Sequence, residues 1–89
     1  MPDFLIERVM PGVGGLDVDE LKATSRLSWA QMKEEFPAIE WLHSYATDDR
    51  LFCLYRAPDE AIVREYAKGS SLPVHTIREV KARIDPSTI

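Results

Sequence analysis

Eighty-nine residues accommodate one domain and leave no room for two. With 45% apolar and 29% charged residues the balance is that of an ordinary folded chain, which argues against disorder. The net charge of −4, with basic residues scattered apart from the local group Arg78, Lys81 and Arg83, argues against a nucleic-acid partner.

Cys53 is the one cysteine, so no intramolecular disulfide can form, which suits a reducing compartment. The start Met1-Pro2-Asp3-Phe4-Leu5-Ile6-Glu7 lacks the basic residues and long apolar run of a signal peptide. No stretch approaches the length of a membrane span. The expected location is the cytoplasm, with neither membrane nor nucleic acid as partner.

In chain order, Phe4 to Val9 is short and apolar-rich and reads as a first strand, closed by Met10-Pro11-Gly12. The segment Pro11-Gly12-Val13-Gly14-Gly15 lacks the spacing and lysine of a phosphate-binding loop and reads as a flexible turn. Asp17 followed by Glu20 resembles a capping box and predicts the start of a helix. Val18, Leu21, Ser25, Ser28 or Trp29, Met32 and Phe36 form its inward stripe, and Pro37 ends it. A second strand is expected from Ile39 to Thr47 and a third from Leu51 to Arg56, joined by a Thr47-Asp48-Asp49-Arg50 hairpin turn. Pro58 suits the first position of a second helix, which Asp59 and Glu60 favour and Gly69 stops. The loop Ser70-Ser71-Leu72-Pro73 leads to a last strand from Ile77 to Ile84, closed by Asp85-Pro86.

The order strand, helix, strand, strand, helix, strand predicts an α+β, ferredoxin-like βαββαβ domain over residues 1–89. Two right-handed crossovers place both helices on one face of a four-stranded antiparallel sheet and leave the other face bare. Alternation along the strands sorts the side chains. Phe4, Ile6, Leu42, Ser44, Ala46, Phe52, Leu54, Val80, Ala82 and Ile84 are expected under the helices. Leu5, Glu7, Val9, Trp41, His43, Tyr45, Leu51, Cys53 and Tyr55 are expected on the bare face. So aromatic a face calls for cover, and a face-to-face homodimer of the dimeric α+β barrel type supplies it. A carboxylate, an imidazole, a thiol and two phenols within that setting either bond one another across the dimer or hold a ligand.

Three groups of residues carry a family resemblance. Glu7 stands within Phe4-Leu5-Ile6-Glu7-Arg8, a hairpin reads Trp41-Leu42-His43-Ser44-Tyr45-Ala46-Thr47-Asp48-Asp49, and Cys53-Leu54-Tyr55-Arg56-Ala57-Pro58 follows. With the helix Glu60 to Ala67 and the ending Val80 to Pro86, they resemble a family of small bacterial proteins of unknown function. Its best described type binds nickel. The resemblance implies a ferredoxin-like homodimer with a role in nickel binding. The chain departs from the family at Tyr66, where histidine is frequent, and at His43, where an acidic residue is common.

Three functional readings stay open. In the first, Glu7, His43, Cys53 and Tyr45 hold nickel or another divalent transition metal, since imidazole and thiolate suit a borderline ion and a carboxylate completes the set. Against it, Cys53 reads equally as a small buried apolar residue and His43 as an interface histidine with its bonds met. His75, in the loop before the last strand, reads as an exposed histidine or a donor at the rim. Glu7 has alternative partners in Arg8 of a neighbouring chain or a tyrosine hydroxyl. In the second reading the dimer cavity houses a cofactor-free oxygenase or isomerase with His43 as general base. In the third the bare face serves only for dimerisation.

Overall fold

The computed structural model describes residues 1–70 and 72–89, so Ser71 of the expected loop lies outside the described residues. Four strands, β1 (Asp3–Val9), β2 (Glu40–Ala46), β3 (Arg50–Arg56) and β4 (Thr76–Val80), alternate with helices α1 (Val18–Glu35) and α2 (Glu60–Gly69). The strands pair antiparallel in the order β2-β3-β1-β4. Both central strands are thus non-consecutive neighbours, and the arrangement is the ferredoxin-like βαββαβ fold.

Both helices cover the same side of this sheet. Met32 of α1 and Val63 and Tyr66 of α2 join Phe4, Ile6, Cys53 and Tyr55 in one buried cluster. Asp17 caps α1 by accepting from the Glu20 amide at 2.8 Å, as the spacing predicts. Helix α2 differs by two residues at its start. Asp59 is its cap, accepting from the Ile62 amide at 3.0 Å, and Pro58 precedes the helix rather than opening it.

The glycine-rich segment is not a loose turn. Residues Val13–Gly15 form a short 3-10 turn against the β2–β3 hairpin, with the Gly14 amide donating to the Asp48 carbonyl at 3.1 Å and the Met10 amide to Asp49 at 2.8 Å. A Cβ on Gly14 would meet the Thr47 carbonyl oxygen at 2.5 Å and the Asp48 Cα at 2.7 Å, so this position admits no side chain without moving backbone.

The last strand ends at Val80, not Ile84. Its partner explains why, because Val80 pairs with Asp3, the first residue of β1, and beyond it β4 has no strand to bond. Ala82 and Ile84 therefore lie outside the sheet, and Ile84 is exposed.

Candidate functional site

Residues directly opposite each other in an antiparallel pair share a face, so the register decides which side chains meet. On β1, Phe4, Ile6 and Arg8 are buried, and Asp3, Leu5, Glu7 and Val9 point to the bare face. Ile6 pairs with Cys53, and Phe4 with Tyr55, which puts the thiol and that phenol under the helices. Glu7 pairs with Phe52 and Leu5 with Leu54, so Phe52 and Leu54 stand on the bare face. This inverts the expectation for β3. Every residue from Leu51 to Tyr55 is apolar or aromatic, so its own pattern does not reveal the phase.

A bulge divides β2. Trp41 pairs with Tyr55 and His43 with Leu54, leaving Leu42 as the extra residue between them. Trp41 consequently faces the helices, where its indole Nε1–H donates to the Ser44 hydroxyl at 2.9 Å. His43 and Tyr45 face the other way, as expected, with ring centroids 5.2 Å apart. Trp41, Leu51, Cys53 and Tyr55 thus leave the expected bare-face set, and Phe52, Leu54 and Val80, which is opposite Asp3, enter it.

Of the four expected metal ligands, three share the bare face and one does not. Glu7 is half-buried and engaged: its carboxylate pairs with the Arg50 guanidinium and accepts from the Thr76 hydroxyl at 3.3 Å. Its partners within the chain are therefore Arg50 and Thr76, and no tyrosine. Tyr45 lies across Phe52 from Glu7, two strand spacings or about 10 Å away across the sheet. His43 is exposed, as is His75, whose amide donates to the Glu7 carbonyl at 2.8 Å. Cys53 is 3% exposed on the opposite side of the sheet. Among the described residues no three His, Cys, Asp or Glu side chains come together as a metal would need. The four expected donors are therefore not gathered at one point within the described chain.

The helix side holds a feature that the sequence reading passed over. Arg8 is 0% exposed, and no carboxylate among the described residues lies close enough to pair with it. Its guanidinium donates to the Leu72 and Pro73 carbonyls and to the Tyr55 hydroxyl, all at 3.3 Å, and its buried Nε has no partner among the described residues. Burial works against the charge, but Tyr55 and Cys53 beside it outweigh that and raise the guanidinium above its ordinary range. Burial, then the neighbouring Cys53 and Tyr66, push the Tyr55 phenol well above its own range. The alternation Phe4, Ile6, Arg8 was the signal that could have found this residue.

Next to this group lies a cavity of about 30 Å³ between α1 and the sheet, walled by Cys53, Tyr55, Tyr66, Ser25, Ser28 and Ser44 among others. A wider groove of about 370 Å³ runs outside it along α1, past Val18, Leu21, Lys22 and Arg26. Ser25, Trp29 and Trp41 line both.

Comparison with known families matches this architecture. The family model described as nickel responsive protein SCO4226-like aligns with residues 4–80, from the first inward residue of β1 to the last of β4. The chain belongs to the SCO4226-like family. The resemblance carried by the Glu7, Trp41–Asp49 and Cys53–Pro58 segments is thereby met. The crystal structure of SCO4226 from Streptomyces coelicolor A3(2) superposes with a TM-score of 0.72 at 19% identity, over 92% of this chain and 99% of that one. At that identity the likeness shows the shared fold of the SCO4226-like family. A search of curated proteins finds no match. No helix among the described residues is long and apolar enough to cross a membrane.

Proposed function

We propose that the protein is a cytoplasmic homodimer whose bare sheet faces meet, and that it takes part in the nickel response after which its family is named. The observation that carries the reading is the makeup of that face. Leu5, Phe52 and Leu54 form an apolar centre, and the exposed His43 and Tyr45 stand beside it together with the Glu7 carboxylate. Face-to-face pairing covers the apolar centre. It also supplies a second set of the donors that one chain leaves incomplete.

His43 is the open imidazole of the set, and imidazole suits nickel and other divalent transition metals. Glu7, released from Arg50 or shared with it, is the carboxylate, and Tyr45 lies beside the imidazole. Cys53 has no part in this set, because the sheet separates it from the other three. When bound, the ion would supply a positive centre at the interface; the chain's own residues bind it and exclude water around it. The single thiol, with no partner cysteine to oxidise onto, supports a reducing location.

The test is calorimetric titration of tag-free, chelator-treated protein with nickel, zinc and copper. Saturation at a fixed ratio per dimer, lost in His43→Ala and kept in Cys53→Ala, supports the reading. No binding of any of the three metals, or binding that survives His43→Ala, overturns the metal part. A monomer by light scattering overturns the dimer.

A further inference from the structure

The helix side of the sheet has a chemistry that neither dimer nor metal uses. The cavity beside Cys53 and Tyr55 sets the hydroxyls of Ser25, Ser28, Ser44, Tyr55 and Tyr66 into an otherwise apolar wall, and no carboxylate among the described residues lines it or the groove outside. In a chain of net charge −4 this is a marked asymmetry. The charged residues in the groove are Lys22 and Arg26, both exposed, and the charge behind the cavity wall is Arg8, fully buried.

The hydrogen bonds leave donors to spare. Arg8 Nη2 donates to the Tyr55 oxygen, so the phenol's own proton is left for Tyr66 or for a ligand in the cavity. Trp41 Nε1 donates to Ser44 Oγ in the same way, which leaves the Ser44 proton free. Ser28 and Tyr66 share one hydrogen bond at 3.1 Å, and whichever donates, the other's proton is left over. Hydroxyl protons in a cavity backed by a buried guanidinium that has no carboxylate partner among the described residues are complementary to an anionic acceptor. The outer groove adds the apolar half, because Trp29 and Trp41 stand edge to face at 6.0 Å with Val18 and Leu21 beyond them. Cavity and groove together have the size and mix of an apolar wall with few polar groups that small-molecule sites show.

We propose that the chain binds a small aromatic carboxylate between α1 and the sheet. The ligand's ring lies against Trp29 and Trp41, and its carboxylate accepts from the Tyr55 hydroxyl that Arg8 backs. Lys22 and Arg26 draw the anion toward the groove mouth. The site is independent of the bare face and of any metal.

The experiment is a titration of the full chain with phenylacetate, followed by amide and indole N–H chemical shifts, with phenylacetamide as the uncharged control. The expected result is saturable movement of the Trp29 and Trp41 indole signals and of Ser28, with those of His43 and Tyr45 still. Phenylacetamide should bind at least about tenfold more weakly. Tyr55→Phe should weaken phenylacetate by about tenfold or more, the scale of one hydrogen bond to a charged group. The exposed pair Lys22→Glu and Arg26→Glu leaves the core untouched and keeps the test open if Tyr55→Phe fails to fold. It should weaken binding several-fold and flatten its salt dependence. Absence of saturable shifts at millimolar phenylacetate, equal binding of the amide, or shifts confined to His43 and Tyr45 would each overturn the proposal.

Discussion

Arg8 Nη2 donates to the Tyr55 hydroxyl at 3.3 Å, and the two residues are 0% and 4% exposed. A cation and a phenol thus share the interior without a carboxylate to balance them. Nη1 donates to the Leu72 and Pro73 carbonyls, so this one side chain ties β1 to the segment that leads into β4.

Tyr55→Phe removes an acceptor from a buried charge while keeping the ring. It should lower stability by about 1.5–3 kcal/mol, the range for hydrogen bonds to charged groups. Urea denaturation followed by Trp fluorescence measures it, and a loss near zero would show that water takes over the vacated place.

The raised pKa of Tyr55 sets an alkaline limit. Folded protein holds this proton more tightly than the unfolded chain, whose phenol titrates near 10.0. Stability from this group is therefore complete below that value and falls as pH rises above it. Melting temperatures taken across that range should decline steeply for the native chain, and Tyr55→Phe should remove part of the slope.

Gly14→Ala should destabilise by about 1–3 kcal/mol, since the new methyl overlaps backbone rather than a movable side chain. The contacts at risk are those between the 3-10 turn and the Thr47–Arg50 hairpin turn. Hydrogen exchange at the Gly14 and Met10 amides would locate the damage.

Leu54→Arg places a charge at the apolar centre of the bare face without entering the core. It should turn a dimer into a monomer by light scattering, with the circular dichroism spectrum unchanged. A dimer that tolerates this change would have to form through some other surface.

Cys53 should resist thiol reagents in the folded protein, because burial denies them the sulfur. Labelling should follow the unfolding equilibrium, and reaction at the rate of a free thiol would mean that the core opens locally.

The fold was legible because its signals are local. Asp17 with Glu20, the Thr47–Arg50 turn and the apolar runs between them fix the order of elements. Which face each strand shows was harder. In β3 every position from Leu51 to Tyr55 is apolar or aromatic, so periodicity carries no phase, and only the pairing of Ile6 with Cys53 supplies it. That is why Glu7, His43 and Tyr45 were placed correctly on the bare face and Cys53 was not. Arg8 was hidden for a different reason. A charged residue at an inward position contradicts the usual partition, although the alternation along β1 points it there.

The extra residue at Leu42 puts β2 into two reading frames. Before it, Trp41 is in step with Tyr55; after it, His43 is in step with Leu54. Deleting Leu42 would keep Trp41 opposite Tyr55 and His43 opposite Leu54, whereas drawing Leu42 into a regular ladder would set it opposite Tyr55 and turn Trp41 outward. The division of labour between the two faces therefore hangs on whether the chain bulges at one point.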